Sequence, residues 1–184
     1  MSLIKIAVTL PFFYEKESER IIKILSDEEA HFVHLRKPGA EIKEIEKLIS
    51  EIPAELHCRI KLHDHFKLLE KFQLGGIHLN SRNKEIHPLA RSKSISLHSL
   101  EETEGKEDFD YFFISPIFDS ISKKGYKAAF DLNNISKKIK GKKAIALGGV
   151  TPERFPLILS LGFYGAAMSG YFFTNDDVKC KKIL

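Results

Sequence analysis

Eight short apolar runs recur along this chain, most of them followed by a stretch with helical spacing. Leu3–Leu10 opens the series and is ended by Pro11; Phe32–Leu35, Arg59–Leu62, Ile77–Leu79, Ser94–Leu97, Tyr111–Ile114, Ala144–Leu147 and Gly165–Met168 follow. Runs this short, bounded by Pro, Gly or polar residues, are what strands buried on both faces look like in sequence. Between them, Ile21, Ile22 and Leu25 recur at helical spacing within 18–25, and Ile42, Ile45, Leu48 and Ile49 do so within 41–51. Phe66, Leu69 and Phe72 continue the third run as a helix stopped at Gly75-Gly76. A brief helix is expected at 100–105 and a lysine-rich one at 175–184. Another carries Phe155, Leu157, Ile158 and Leu161, entered through Thr151 as N-cap with Pro152 behind it.

Strands alternating with helices build parallel βα units, and eight such units close a (β/α)8 TIM barrel. At 184 residues this is a compact single domain spanning 1–184, since ~250 residues is typical. The competing architecture, an open doubly wound sheet, would need a glycine-rich fingerprint after the first strand, and the chain has none there.

Composition narrows the function classes. No apolar run approaches the ~20 residues needed to span a bilayer, and MSLIKIAVTLPFF has neither a basic n-region nor a small-residue cleavage site. Cys58 and Cys180 are too few and too far apart for a disulfide framework or a metal knuckle, so a cytoplasmic protein is expected. The net charge is +4, with lysine clusters at 137–143 and 179–182. These read as solvated helix ends rather than a nucleic-acid patch, so neither nucleic acid nor membrane is an expected partner.

In such barrels the site lies at the carboxyl ends of the strands. Those ends carry Arg36 and Lys37; His63 and Asp64; Asn80–Asn83; Ser96 and His98; Ser120, Ser122 and Lys123; Gly148-Gly149; and Ser169-Gly170. Cations, hydroxyls and amide donors with one carboxylate suit phosphate, with Asp64 offering a ligand to a hard metal such as Mg2+. Glycines after the last two strands let backbone N–H groups approach an anion. Each feature has a plainer reading: the 120–125 segment as a solvated loop, Asp64 as the N-cap of the helix near Phe66, Gly148-Gly149 as a simple turn. His34, His63, His78 and His98 near four strand ends allow a transition-metal cage, although His78 and His98 read better as hydrogen-bonded barrel-lining residues. His63 and His65 would share a face if the strand ran that far. His31, His57 and His87 read as surface or loop positions, and Phe12, Phe13, Phe172 and Phe173 as packing residues.

Several segments, in order, resemble the thiamine phosphate synthase family and its relatives, the thiazole tautomerases. His34-Leu35-Arg36-Lys37 resembles the family's Gln-x-Arg-x-Lys, and Leu62-His63-Asp64 its Asn-Asp pair. Gly76-Ile77-His78-Leu79 resembles Gly-Val-His-Leu, and Ser96-Leu97-His98-Ser99 its Ser-x-His-Ser/Thr. Residues 115–124 resemble Gly-Pro-x-Phe-x-Thr-x-Thr-Lys, and Gly148-Gly149-Val150-Thr151-Pro152 resembles Gly-Gly-Ile-Thr-Pro. The resemblance implies a transferase of thiamine biosynthesis that joins hydroxymethylpyrimidine diphosphate to thiazole phosphate and releases pyrophosphate. It implies Arg36 and Lys123 on the diphosphate, Asp64 on Mg2+, and Ser96 facing the diphosphate or pyrimidine. Ser120 and Ser122, the Gly149 backbone and the Ser169-Gly170 turn would serve the thiazole phosphate. The chain departs from the pattern at His34 and His63, which are expected to bind substrate in place of the family's glutamine and asparagine, at Pro38, for which Lys37 would substitute as a substrate ligand, and at Asn83, a neutral carbonyl ligand where the family has a second metal aspartate. Two alternatives follow: a tautomerase, which needs a histidine where this chain has Pro116, and a catalytically lapsed barrel that binds thiamine-pathway phosphates. A homodimer is left open, since related barrels often dimerise and no exposed stripe compels it.

Overall fold

The computed structural model describes residues 3–99, 102, 105–119, 130 and 132–173. Its elements are β1 (Ile4–Val8), α1 (Glu17–Ser26), β2 (Phe32–Leu35), α2 (Ile42–Ser50), β3 (Ile60–Leu62), β4 (Gly76–Leu79), β5 (Lys93–Leu97), β6 (Tyr111–Ile114), α3 (Leu132–Ile139), β7 (Ala144–Leu147), α4 (Phe155–Ser160), β8 (Gly165–Met168) and α5 (Gly170–Phe173). Each strand pairs in parallel with the next, and β1 closes on β8 with Ile6 opposite Ala167, completing the barrel.

Strand alternation sorts the side chains into two cores. Ala7, Val33, Leu35, Ile60, Leu62, Ile77, Phe112, Ile114, Ala146 and Met168 belong to the large cluster that includes buried residues of α1–α4. Ile6, Val8, Tyr111, Phe113, Ile145 and Ala167 form a separate cluster inside the barrel. The inner cluster is lopsided. It is supplied by β1, β6, β7 and β8, whereas β2–β5 contribute His34, Lys61, His78, Ser94 and Ser96 to a polar network that reaches Tyr111 and Phe113. Half of the interior is therefore built from polar side chains that must satisfy one another.

The α1–β2 connection is held by one side chain. Arg59 donates to the carbonyls of Leu25 (2.6 Å), Ala30 (2.6 Å) and His31 (3.0 Å), the last turn of α1 and the entry to β2. β4 must begin with glycine: a Cβ on Gly76 would lie 2.1 Å from the Ser92 carbonyl oxygen, at a φ of +142°.

Most strand boundaries fall within two residues of the sequence reading. The helix expected after β3 does not form: Phe66–Glu70 is a 3-10 helix, entered through His65 in the left-handed region (φ 56°), so His65 and not Asp64 occupies the cap position. Too few residues separate it from Gly75 for an α-helix to propagate. Thr151 stands at the N-cap before Pro152, as expected, but its side chain makes no capping bond. Phe172 and Phe173 are buried, whereas Phe12 and Phe13 are exposed in the β1–α1 loop. His57 is buried, its ring nitrogen 2.9 Å from the Ile52 carbonyl, rather than lying on the surface. The expected helix at 100–105 lies largely, and that at 175–184 wholly, outside the described residues.

Candidate active site

Arg36 leaves the carboxyl end of β2 with its backbone pinned on both sides. Its N–H donates to Thr9 Oγ1 at 2.9 Å, and that hydroxyl donates back to the Arg36 carbonyl at 3.3 Å. The guanidinium is half-buried and makes no ion pair or hydrogen bond with any described residue. Burial lowers its pKa from the ordinary value, Arg82 lowers it further, and Asp64 opposes both. Arg36, Asp64 and Arg82 thus share one corner of the mouth.

Asp64, just beyond β3, accepts from Arg82 Nη2 at 3.3 Å (Oδ1) and 3.5 Å (Oδ2) and from Asn83 Nδ2 at 2.7 Å (Oδ1). Asn83 Nδ2 also donates to the His63 carbonyl at 3.0 Å. With its amide nitrogen turned toward two acceptors, Asn83 serves Asp64 as a donor, which corrects the expectation of a carbonyl ligand standing beside it. Asn80 builds the turn: its Oδ1 accepts from the backbone of Arg82 (3.0 Å) and Asn83 (3.3 Å), and its Nδ2 donates to the His63 carbonyl. A hard divalent cation finds one carboxylate here, at Asp64. That fits magnesium, which takes few protein ligands and fills its shell with substrate phosphates and water.

Lys37 has another job than the one its neighbour suggests. Its ammonium is fully buried and donates to both Glu17 oxygens (2.6 and 2.8 Å) and to the carbonyls of Leu10 (2.9 Å) and Phe12 (2.6 Å). No donor is left for a phosphate, which corrects its assignment as a substrate ligand. Lys37→Ala would strand the Glu17 carboxylate and two carbonyls in the interior. A loss of about 3–5 kcal/mol is expected, read as a fall of roughly 10 °C in the melting temperature. The paired change Lys37→Met with Glu17→Leu should lose far less. A single variant that melts within two degrees of the parent would mean that the pair is hydrated.

The other expected groups divide three ways. His34 and His63 lie inside the barrel: His34 Nδ1 is 2.9 Å from His63 Nε2, and His34 Nε2 is 2.7 Å from the Tyr111 hydroxyl. His78 lies beside them, stacked on His63 with 4.2 Å between ring centroids, its nitrogens 2.9 Å from Ser94 Oγ and 2.8 Å from Ser96 Oγ. The nitrogens of these three histidines come within 4.8 Å of one another. The parallel stacking of His63 on His78 keeps their in-plane lone pairs from converging on one ion, so a polar core network is the better description. His98, by contrast, is exposed and not barrel-lining, and His65 bonds the Ala40 carbonyl away from His63. Gly149, at φ 61°, passes so close to the loop after β6 that a Cβ would lie 2.2 Å from the Asp119 carbonyl oxygen. Ser169 and Gly170 form the turn from β8 into α5, where the Ser169 carbonyl accepts from Phe172 and Phe173. Ser120, Ser122 and Lys123 lie outside the described residues.

The chain that places Arg36 and Asp64 on adjacent strand ends of this barrel is matched over residues 6–171 by the family model of thiamine monophosphate synthase. The chain belongs to the thiamine monophosphate synthase family. A thiamine-phosphate synthase of Bacteroides thetaiotaomicron is 23% identical over 176 residues, 83% of each chain. One of Clostridium botulinum is 24% identical over 161 residues, 80% of this chain and 78% of the other. The crystal structure of a thiamine phosphate pyrophosphorylase from B. thetaiotaomicron superposes with a TM-score of 0.83 at 35% identity, covering 98% of this chain and 89% of that one.

Within this thiamine monophosphate synthase-family barrel, three groups were not foreseen from sequence: Thr9, Glu17 and Arg82. Thr9 directly follows the first strand and Glu17 opens the first helix, ordinary positions until the fold brings β1 against β2. Arg82 was legible only as one cation among many, because its partner Asp64 is 18 residues away.

Proposed function

We propose that the protein joins hydroxymethylpyrimidine diphosphate to thiazole phosphate and releases pyrophosphate. The observation that carries this reading is the placement of the Arg36 guanidinium and the Asp64 carboxylate on adjacent strand ends, at the mouth of a barrel of this family. In the reaction the thiazole nitrogen attacks the pyrimidine methylene, the methylene C–O bond breaks, and its electron pair leaves on the diphosphate. No side chain acts as nucleophile; the task is to stabilise charge growing on the leaving group. Arg36, held by Thr9, faces that charge, and Lys123 shares the task. Ser96, held by His78, orients the diphosphate or pyrimidine, and His34 and His63 support that wall from inside the barrel. Ser120, Ser122, the Gly149 backbone and the Ser169-Gly170 turn receive the thiazole phosphate. Magnesium held by Asp64 would neutralise part of the diphosphate charge. No helix among the described residues is long and apolar enough to cross a membrane, and the reaction suits a cytoplasmic enzyme.

The tautomerase alternative is weakened by Pro116, a buried residue packed over Gly148 where a proton-carrying histidine would be needed. The test is pyrophosphate release from the two substrates, with and without magnesium. Magnesium-stimulated turnover is expected, falling on the order of 10²-fold in Asp64→Ala. Binding of thiazole phosphate without any turnover would identify a lapsed barrel instead.

A further inference from the structure

Two guanidinium groups flank one carboxylate at the β2–β4 corner of the mouth. Arg82 reaches Asp64 from the turn after β4, with its side chain 44% exposed, while Arg36 comes from β2. The β2–β3 register pairs Leu35 with Leu62, so Arg36 and Asp64 leave neighbouring strand ends at nearly the same level. The carboxylate is already half-satisfied by Asn83, and the weak geometry at 3.3–3.5 Å leaves the Arg82 fork free to turn. The local balance is cationic before any metal enters. A planar fork with donors on two edges suits a diphosphate, which offers oxygens on both phosphoryl groups.

We infer that Arg82 and Arg36 form a guanidinium clamp that takes a diphosphate directly, Arg82 turning from Asp64 onto the anion. The turn geometry supports this placement. Asn80 bonds the backbone of Arg82 and Asn83 at once, so the loop is fixed while the arginine side chain can swing. Asn83 is neutral, so Asp64 is the carboxylate that faces Arg82 at this corner, and Arg82 adds a positive charge. The clamp therefore holds diphosphate without a divalent cation, and the cation enters with the anion rather than before it. This deepens the proposed function by assigning a residue to its diphosphate site, and it rests on that reading only for the identity of the natural ligand.

The experiment is calorimetric titration of the protein with inorganic pyrophosphate in EDTA and then in magnesium. Binding in EDTA is expected, weakened at least tenfold in Arg82→Gln, with a smaller loss when magnesium is present. Asp64→Asn should tighten binding in EDTA, because it removes the carboxylate that competes for Arg82; a residue serving only the metal would not shift binding in that direction. Absence of binding in EDTA, or binding unchanged in Arg82→Gln, overturns the clamp even if the two thiamine precursors are turned over. Arg82-dependent binding by a protein that turns over neither precursor upholds the clamp and removes the synthase reading.

Discussion

Stability is expected to fall steeply as the pH drops from 7 to 5, before most carboxylates titrate. His34, His63 and His78 are fully buried, and burial is the first cause that pushes each below its ordinary pKa, His78 down to about 3. Charge adds to burial: His34 is disfavoured as a cation by His78 and Lys61, His78 by Lys61, and His63 by His78, His34, Arg36 and Arg82. Lys61 is itself pushed down to about 8 by burial, with Asp110 opposing, and so remains largely charged at neutral pH. In the unfolded chain each histidine takes up a proton near pH 6.5, and in the folded chain it does not. The unfolded state therefore binds more protons as the pH falls, and stability is lost on the acid side of 6.5. Each group contributes a slope approaching about 1.4 kcal/mol per pH unit. Three together remove roughly 5–6 kcal/mol by pH 5, comparable with the whole stability of an ordinary domain, about 5–15 kcal/mol. Denaturant unfolding at pH 7.5, 6.5, 5.5 and 5.0 measures this directly. His34→Gln should flatten the slope by roughly a third. A stability unchanged from pH 7 to 5 would show that the ring cluster takes up protons in the folded state.

That cluster also shows what the sequence could and could not reveal. Most of the strands were legible because they are buried on both faces, so Tyr111–Ile114 or Ala144–Leu147 carries its own signature whatever its neighbours do. His34 and His78 sit inside such runs, and the reading of His78 as a hydrogen-bonded lining residue agrees with its bonds to Ser94 and Ser96. His98 sits in an equivalent sequence context one residue past β5, yet is exposed. Strand periodicity alone does not say where the twist turns a chain outward.

Lys37 is the clearer lesson. Successive residues of an extended chain point to opposite sides, so Arg36 and Lys37 could not both face the mouth. The partner that claims Lys37 is Glu17, 20 residues earlier, a pairing that exists only once α1 is packed beside β2. Arg82 and Asn83 escaped for a similar reason. Their roles follow from contacts with Asp64 across the β3–β4 corner, and a motif read residue by residue records what stands at a position, not what that position touches.

Arg36 is where the largest loss of turnover is expected. Arg36→Ala should lower kcat by about 10²–10³-fold, the range found when one preorganised donor to a developing negative charge is removed. Its position supports a transition-state role: the backbone is locked by both hydrogen bonds to Thr9, and the half-buried guanidinium acts where electrostatic interactions are screened less than in water. Burial and Arg82 lower its pKa from the ordinary value, but an arginine so perturbed is still charged at neutral pH. Because the guanidinium bonds no described residue, its removal should leave the melting temperature nearly unchanged, unlike the loss of Lys37 next to it. Arg36→Lys should restore only part of the rate, since an ammonium keeps the charge and loses the fork. The split between kinetic constants decides the role: a fall in kcat at near-constant KM means that Arg36 meets charge formed as the C–O bond breaks. A rise in KM alone, with kcat preserved, would make it a ground-state anchor for the diphosphate and shift the catalytic burden to Lys123 and the metal.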